Sequence, residues 1–249
     1  MSSVYGDIRE WVRDCRRNVE KDQDNLILYV GEPGQGKSTV MFQHLTAIDP
    51  RFDVARVAFS IKDFIELSRR STKGVAIAAD EILASSRKAM WGDNVRLNDR
   101  LQVCRGKNHT MGVCFPYETR LDPEIVNERV RFKVKIPTWN TPGFTGVPKY
   151  RIEERHVYER RSRDGQAKPV VRWVFRGEFT FNENKGPKWQ AYRAAKDAHM
   201  DAPGEEELLE AERPDPMSSH DWEGLRGYLR LARENADRSA AGSSVGAGP

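Results

Sequence analysis

The sequence of 249 residues lacks long apolar runs, clustered cysteines and an apolar leader. Its longest apolar runs, Leu26–Val30 and Val75–Ala79, are as long as strands, far below the roughly 18–20 residues of a membrane-spanning helix. The first acidic residue comes before any apolar stretch, so we expect no secretory signal. Cys15, Cys104 and Cys114 are too few and too scattered for a disulfide framework or a zinc site. We therefore expect a reduced, cytoplasmic protein without a membrane span.

Charge is distributed unevenly along the chain, although the formal net charge is only +4. Residues 131–200 contain 16 Lys/Arg against 7 Asp/Glu, whereas residues 201–249 contain 5 against 11. Charge that is segregated along a sequence is typical of regions with different partners. The basic segment is thus a candidate for contact with nucleic acid, and the acidic segment should repel DNA.

Apolar strands alternate with helical segments up to about residue 136, which predicts a parallel sheet covered by helices on both faces. Beyond this part, two alternating segments flank Asp164-Gly165, a pair typical of a β-hairpin turn. The predicted strands are 26–30, 54–60, 75–79, 111–115 and 130–136; the predicted helices are 8–20, 38–47, 61–70, 93–104, 188–199, 205–212 and 222–237.

Composition and pattern divide the chain into five expected regions. They are an N-terminal helix (1–24), a core (25–140), a basic hairpin (141–187), an acidic helical region (188–238) and a disordered tail (239–249). The last predicted helix has an apolar stripe that includes Trp222 and Tyr228. This stripe could dock on the core or on another protein, and the sequence leaves both open.

The segment Gly31–Ser38 fits the pattern GxxxxGK[ST] of a phosphate loop and lies between a predicted strand and a predicted helix. Glycines let successive backbone N–H groups point at phosphate oxygens, and the helix N-terminus adds partial positive charge. Lys37 is expected to reach the β- and γ-phosphates of ATP, Ser38 to bind Mg²⁺, and Thr39 to approach the α-phosphate. The expected nucleotide-binding residues are Gly31, Glu32, Pro33, Gly34, Gln35, Gly36, Lys37, Ser38 and Thr39.

An acid pair, Asp80-Glu81, closes the third predicted strand roughly 40 residues after Lys37. In P-loop ATPases this place holds an acid that orients the Mg²⁺ hydration shell. An adjacent carboxylate can polarise the attacking water. A kinase that transfers phosphate to a small molecule does not need this second carboxylate. We therefore expect Asp80 to serve the metal, Glu81 to be catalytic, and ATP to be hydrolysed. Acidic residues at the end of a strand are common, so the alternative interpretation is that Asp80 and Glu81 are simply solvated.

The order of motifs that follows Asp80 resembles that of a known protein family. A loop with Arg and Trp leads to a predicted helix that ends in Cys104-Arg105-Gly-Lys-Asn-His109, followed by a strand and a Leu121-Asp-x-x-Ile125 turn. Together with the phosphate loop, this resembles the additional-strand P-loop ATPases of the FtsK/HerA kind, found in DNA pumps of viruses, plasmids and cells. The chain is particularly similar to small, Zot-like versions from phages and archaeal mobile elements. The resemblance covers residues 25 to about 136.

The resemblance implies an α/β fold with a RecA-like P-loop NTPase core, plus a C-terminal β-hairpin and helical extension. It also implies a homo-oligomeric ring in which an arginine reaches the ATP of a neighbouring subunit. Arg105 matches that position best, with Arg100 and Arg120 as weaker candidates; a cation at a helix C-terminus is the alternative reading of Arg105. One feature departs from the family: the tip of the fourth strand, Cys114-Phe-Pro-Tyr117, offers no Gln for a γ-phosphate sensor.

Basic residues cluster on the predicted hairpin and alternate with Tyr158 and Trp173. Such a ribbon can follow a phosphate backbone, and the aromatic rings could stack on bases or pack against the core. A solvated charged surface is the alternative. The candidate DNA-binding residues are Arg155, Arg160, Arg161, Arg163, Lys168 and Arg172.

The sequence therefore predicts an ATP-hydrolysing motor that moves or packages DNA for a virus or mobile element, in the host cytoplasm or the virion. Two alternatives remain open: a P-loop phosphotransferase acting on a small molecule, and an ATP-binding assembly or morphogenesis protein.

Overall fold

The computed structural model of the chain describes residues 4–80, 104–137, 148–161 and 166–201. The α-helices in these residues are α1 (Ile8–Glu20), α2 (Lys37–Ile48), α3 (Ile61–Arg70) and α4 (Pro187–Met200). The strands are β1 (Asn25–Val30), β2 (Val57–Ala58), β3 (Ala76–Ala79), β4 (Thr110–Phe115), β5 (Val130–Lys135), β6 (Lys149–Arg161) and β7 (Ala167–Thr180). Short 3₁₀ turns lie at Val54–Arg56, Cys104–Lys107 and Glu118–Arg120, and one π-helical turn at Ile125–Arg129.

The seven strands form one sheet in the order β2-β3-β4-β1-β5-β6-β7. The first five strands are parallel, while β6 and β7 run antiparallel to their neighbours. This mixed α/β architecture with a mainly parallel sheet confirms the fold class predicted from the sequence. Strand β4 lies between β1, which leads into the phosphate loop, and β3, which leads into Asp80.

The sheet is covered on both faces, as expected for parallel strands with helical connections. Ile27 and Tyr29 of β1 face a core that includes residues of α1, α2 and α4, such as Trp11. Leu26 and Leu28 face the opposite core, which includes residues of α3. Alternation along β1 thus places successive side chains in two separate cores.

The strand predicted over 54–60 is wrong in extent, because β2 has only two residues. The Asp53 carboxylate accepts a hydrogen bond from the Ala55 N–H at 3.1 Å and begins the 3₁₀ turn. The Ser60 hydroxyl accepts from the Asp63 N–H at 3.1 Å and begins α3. Two capping residues therefore confine the extended segment from both sides.

The basic hairpin continues the core sheet, because β6 pairs with β5 from Phe132↔Glu154 to Lys135↔Arg151. The expected domain boundaries stay predictions, but strands from both sides of residue 140 belong to one sheet. Contacts divide the chain into residues 1–199 and 200–249, and only Met200 and Asp201 of the second unit are described. The predicted helices 205–212 and 222–237, the tail 239–249, and all of the predicted helix 93–104 except its last residue lie outside the described residues.

Within the described residues, none of the helices combines the length and the apolar character needed to cross a membrane.

Candidate nucleotide site

The phosphate loop between β1 and α2 adopts backbone conformations that glycine allows. Gly34 and Gly36 have φ of +80° and +89°, in the left-handed region that side chains disfavour. A Cβ at Gly36 would also lie 2.7 Å from the Phe181 ring. Gly36 is the N-cap residue of α2, and no side chain caps this helix start. The loop therefore presents a helix N-terminus, whose N–H groups and partial positive charge suit a phosphate.

Close contacts fix the loop on the sheet side. A Cβ at Gly31 would lie 2.8 Å from the Ile136 carbonyl oxygen, so the start of the loop fits directly against the residue that follows β5. Lys37 Nζ donates to the Glu32 carbonyl oxygen at 2.9 Å. The lysine ammonium thus lies at the loop itself, where bound phosphates would be.

The two residues predicted to serve Mg²⁺ are brought together. Ser38 Oγ donates to Asp80 Oδ2 at 2.9 Å, with Oδ1 at 3.2 Å. Because β4 separates β1 from β3, the ends of these strands are about 9–10 Å apart, and Ser38 on α2 spans this gap. Asp80 itself is 1% exposed.

Helix α4 contributes two more groups at the same carboxylate and an aromatic ring that packs on one of them, and none of the three was predicted for the site from the sequence. Tyr192 donates its hydroxyl hydrogen to Asp80 Oδ2. Lys196 Nζ lies 2.9 Å from Asp80 Oδ2 and 3.5 Å from Ser38 Oγ. Trp189 stacks on Tyr192, with ring centroids 4.8 Å apart, and both rings are buried.

These donors keep Asp80 ionised in spite of its burial. Burial alone would raise the pKa of the carboxyl group, but the Lys196 charge and the hydrogen bonds from Tyr192, Lys196 and Ser38 outweigh it. The net result is a pKa below the ordinary value for aspartate. The site therefore presents a fixed negative charge next to a serine hydroxyl.

A cavity of about 490 Å³ opens between the phosphate loop and α4. This volume lies within the range of small-molecule and cofactor sites. The end of β4 contributes Cys114, Phe115 and Pro116 to the wall, and none of these three is Gln, in agreement with the departure noted in the sequence. The lining residues are Pro33, Gly34, Gly36, Lys37, Ser38, Thr39, Cys114, Phe115, Pro116, Trp189, Tyr192, Arg193, Lys196 and Asp197.

The donor set fits Mg²⁺ together with a nucleotide. Ser38 and Asp80 offer hydroxyl and carboxylate oxygens, the hard ligands that Mg²⁺ prefers, and Mg²⁺ characteristically takes its remaining ligands from water and phosphate. In the described part of the chain, no group of three or more His, Cys, Asp and Glu could hold a metal ion by itself. A metal at this site would thus depend on the phosphates that the loop is shaped to bind.

Two residues that were predicted to be catalytic, Glu81 and Arg105, are not fully described by the structure. Glu81 lies outside the described residues. The backbone of Arg105 lies in the 3₁₀ turn that ends two residues before β4, and its side chain is outside the described part. That turn is at the amino edge of the parallel strands. The phosphate loop is at the carboxyl edge, and six residues of strand separate the two edges by about 17–20 Å.

The register of the hairpin separates its basic residues by face. His156 is opposite Arg172, Tyr158 opposite Val170, and Arg160 opposite Lys168, so these six side chains share one face. Tyr158, Arg160, Lys168 and Arg172 are exposed.

Two other predicted hairpin residues, Arg155 and Arg161, lie on the opposite face, and Arg163 is outside the described residues. Arg155 donates to the Asn127 carbonyl oxygen at 2.9 Å, a contact with the core. Trp173, opposite Arg155, packs its ring 3.7 Å from Lys133 Nζ. Arg155 and Trp173 therefore hold the hairpin to the rest of the sheet, whereas Tyr158 remains exposed.

No protein-family model matches the chain, and no curated protein matches it either. Among solved structures, the chain is similar to the N-terminal domain of zonular occludens toxin from Neisseria meningitidis. That match has 14% identity and a TM-score of 0.37, and it covers 66% of this chain and 96% of the other. The chain is also similar to PCH-2 of C. elegans, at 17% identity and a TM-score of 0.33, over 50% of this chain and 42% of the other. At these values neither likeness assigns a function, and the site is interpreted from its own residues.

Proposed function

We propose that the chain is an ATP-hydrolysing P-loop motor that moves or packages DNA for a virus or mobile element. The observation that carries this proposal is the contact between Ser38 and the buried, ionised Asp80 beside a phosphate loop. A loop that only resembled the motif would not need an ionised acid from another strand at the hydroxyl of its serine.

Hydrolysis follows from the roles of the chain's own residues. The N-terminus of α2 binds the phosphates, and Lys37 lies where it can neutralise charge on them. Ser38 and Asp80 would hold Mg²⁺, which supplies charge neutralisation at the phosphates when bound. Glu81 follows Asp80 directly in the sequence, and we assign to it the polarisation of the attacking water.

The basic face of the hairpin supports DNA as the partner. Arg160, Lys168 and Arg172 are exposed on one face, and an exposed aromatic ring, Tyr158, lies among them. Lysine and arginine neutralise backbone phosphates, and an aromatic ring can stack on an unpaired base.

The hairpin also contacts the nucleotide site. The residue that follows β7, Phe181, packs against Gly36 of the phosphate loop. The Gln43 side chain of α2 donates to the Asn182 carbonyl oxygen at 2.7 Å. A force on the hairpin would therefore be transmitted to the loop through packed side chains, which is what a motor requires.

The position of the turn that contains Arg105 supports a homo-oligomer, with a ring as the proposed form. Because this turn lies about 17–20 Å from the phosphate edge, Arg105 is too far to reach the ATP of its own subunit. We therefore assign it to the ATP of a neighbouring subunit, where an arginine stabilises charge that develops on the γ-phosphate.

The proposal is tested by measuring phosphate release from ATP with the purified full chain, at increasing protein concentration and with or without DNA. We expect activity per chain to rise with concentration and with DNA. Lys37→Ala should abolish hydrolysis, while Lys62→Ala, an exposed lysine on α3, should retain it.

Other outcomes of this experiment identify the alternatives. ATP binding without turnover in any condition would favour an assembly or morphogenesis protein. Phosphate transfer to an added small acceptor in preference to water would favour a phosphotransferase. Turnover that is equal with and without DNA would exclude the DNA motor.

A further inference from the structure

We propose that the Lys196 ammonium occupies the Mg²⁺ position of the nucleotide site, so that the metal enters only by displacing this lysine. The inference rests on the proposed function, since it concerns the metal that accompanies ATP. It assigns to α4 a role that neither the phosphate-loop motif nor the acid pair indicates.

The contacts of Lys196 are those expected of a bound metal. Its Nζ lies 2.9 Å from Asp80 Oδ2 and 3.5 Å from Ser38 Oγ, the two groups that would serve Mg²⁺. The Lys196 side chain is 23% exposed, against 1% for Asp80, so the pair is largely withdrawn from water. Without a metal, the ammonium supplies the positive charge that a buried carboxylate requires.

The rest of α4 holds the lysine in this position. Trp189 and Tyr192 pack on Phe42 of α2, with ring centroids 5.4 and 5.3 Å away. Lys188 Nζ donates to the Pro50 and Phe52 carbonyl oxygens at 2.8 and 2.9 Å. Lys196 is thus presented by a docked helix and is not a long side chain that happens to lie over the site.

A divalent cation and this ammonium cannot share Asp80 Oδ2. The oxygen already accepts from Ser38, Tyr192 and Lys196, and Mg²⁺ demands a near-octahedral shell of oxygen ligands at 2.0–2.1 Å. A metal ion and an ammonium group on the same carboxylate oxygen would also repel each other strongly where water is excluded. Binding of the metal with its nucleotide must therefore release Lys196 from Asp80.

The test compares the affinity of a fluorescent ATP analogue in EDTA with its affinity in Mg²⁺, using the full chain. The ratio of the two affinities measures how much the metal adds to binding. We expect this ratio to be about tenfold larger in Lys196→Met than in the parent, because the competing cation is gone, while affinity in Mg²⁺ is at least as high as in the parent. Lys185→Met removes the same charge just before α4 from an exposed lysine that does not line the cavity, and it should behave like the parent.

An equal ratio in Lys196→Met and Lys185→Met would overturn the inference, and so would weaker binding of Lys196→Met in Mg²⁺, which would make the lysine a phosphate ligand. If Lys196→Met fails to fold, amide hydrogen exchange of α4 is measured in the parent protein instead. Exchange in α4 should then change with a non-hydrolysable ATP analogue and Mg²⁺ but not with the analogue in EDTA; no such difference would also overturn the inference. Absence of nucleotide binding in every variant and in the parent would instead refute the proposed function.

Discussion

Strands β1, β3 and β4 carry almost only apolar side chains that are buried on both faces of the sheet, whereas the outer half of the β6–β7 hairpin is exposed and densely charged. In these three strands no charged residue interrupts the apolar sequence, and charge appears only at the carboxyl edge, where Asp80 is surrounded by donors. On the hairpin, Arg160 lies directly opposite Lys168, a pairing of like charges that destabilises a sheet. One part of the sheet neutralises its charge internally, and the other leaves its charge to be neutralised from outside.

This difference suggests a division of labour. A buried, internally compensated carboxylate suits chemistry, since its charge and position are fixed before a ligand binds. Uncompensated cations in water suit binding to an anionic polymer, since neutralising them releases counterions. Catalysis and DNA binding should therefore be separable by single substitutions in the two regions.

The largest effect is expected from Glu81→Gln, which should reduce turnover by about 10²–10⁴-fold while ATP and DNA binding persist. The amide cannot polarise the attacking water, but it keeps the size of the side chain. Single-turnover hydrolysis, with nucleotide binding measured on the same sample, checks this. Turnover like that of the parent would remove Glu81 from the mechanism, and a joint loss of binding and turnover would give it a structural role.

The parallel half of the fold was predictable because its signals are local. The glycines and Lys37 of the phosphate loop are adjacent in sequence, and the apolar runs have strand length. The partnership of Ser38 with Asp80 could also be predicted, because the carboxyl ends of parallel strands lie at one edge.

The role of α4 could not be predicted from the sequence. Trp189, Tyr192 and Lys196 follow one another at helical spacing, which indicates a common face. Nothing in that spacing specifies that the face covers a loop more than 150 residues earlier, because such a contact depends on how the hairpin returns the chain to the carboxyl edge. The same reason applies to the division of the hairpin into two faces, which depends on the exact strand register.

A second prediction concerns the hairpin alone and compares neighbouring residues. Arg160 and Arg161 are both exposed but lie on opposite faces of the hairpin. Arg160→Glu and Arg161→Glu change the net charge equally, so the two variants differ only in the face that is altered. We expect Arg160→Glu to weaken DNA binding more strongly and to reduce the salt dependence by about 0.7–0.9 log units per log unit of salt. ATP hydrolysis without DNA should stay at the parent level in both variants.

Fluorescence anisotropy of labelled DNA across a series of salt concentrations measures these slopes. Equal losses in the two variants would show that net charge matters and that the face does not. A loss confined to Arg161→Glu would assign the DNA to the opposite face of the hairpin.

The smallest effect is expected at His44, which joins the two regions. This residue of α2 is 4% exposed, and its ring nitrogens contact the Tyr29 hydroxyl of β1 at 3.1 Å and the Tyr150 hydroxyl of β6 at 2.9 Å. Burial lowers the pKa of His44 from 6.5 to about 3, so the folded protein holds the ring neutral.

Because the unfolded chain binds a proton at His44 below pH 6.5 and the folded chain does not, this residue makes stability fall with decreasing pH, from about 6.5 down to about 3. Between pH 7 and pH 5 the loss from this one group is about 2 kcal/mol. His44→Gln cannot titrate, and its amide can still contact a tyrosine hydroxyl. Urea unfolding of parent and variant should therefore give a difference in free energy that narrows by about 2 kcal/mol over this range, whatever the variant costs at pH 7. Parallel pH curves would mean that the His44 ring takes up its proton over the same pH range in the folded and the unfolded protein. Water would then have to reach the ring, which lies between α2 and the hairpin. In that case the packing of the hairpin on the core would be too loose to transmit force to the phosphate loop.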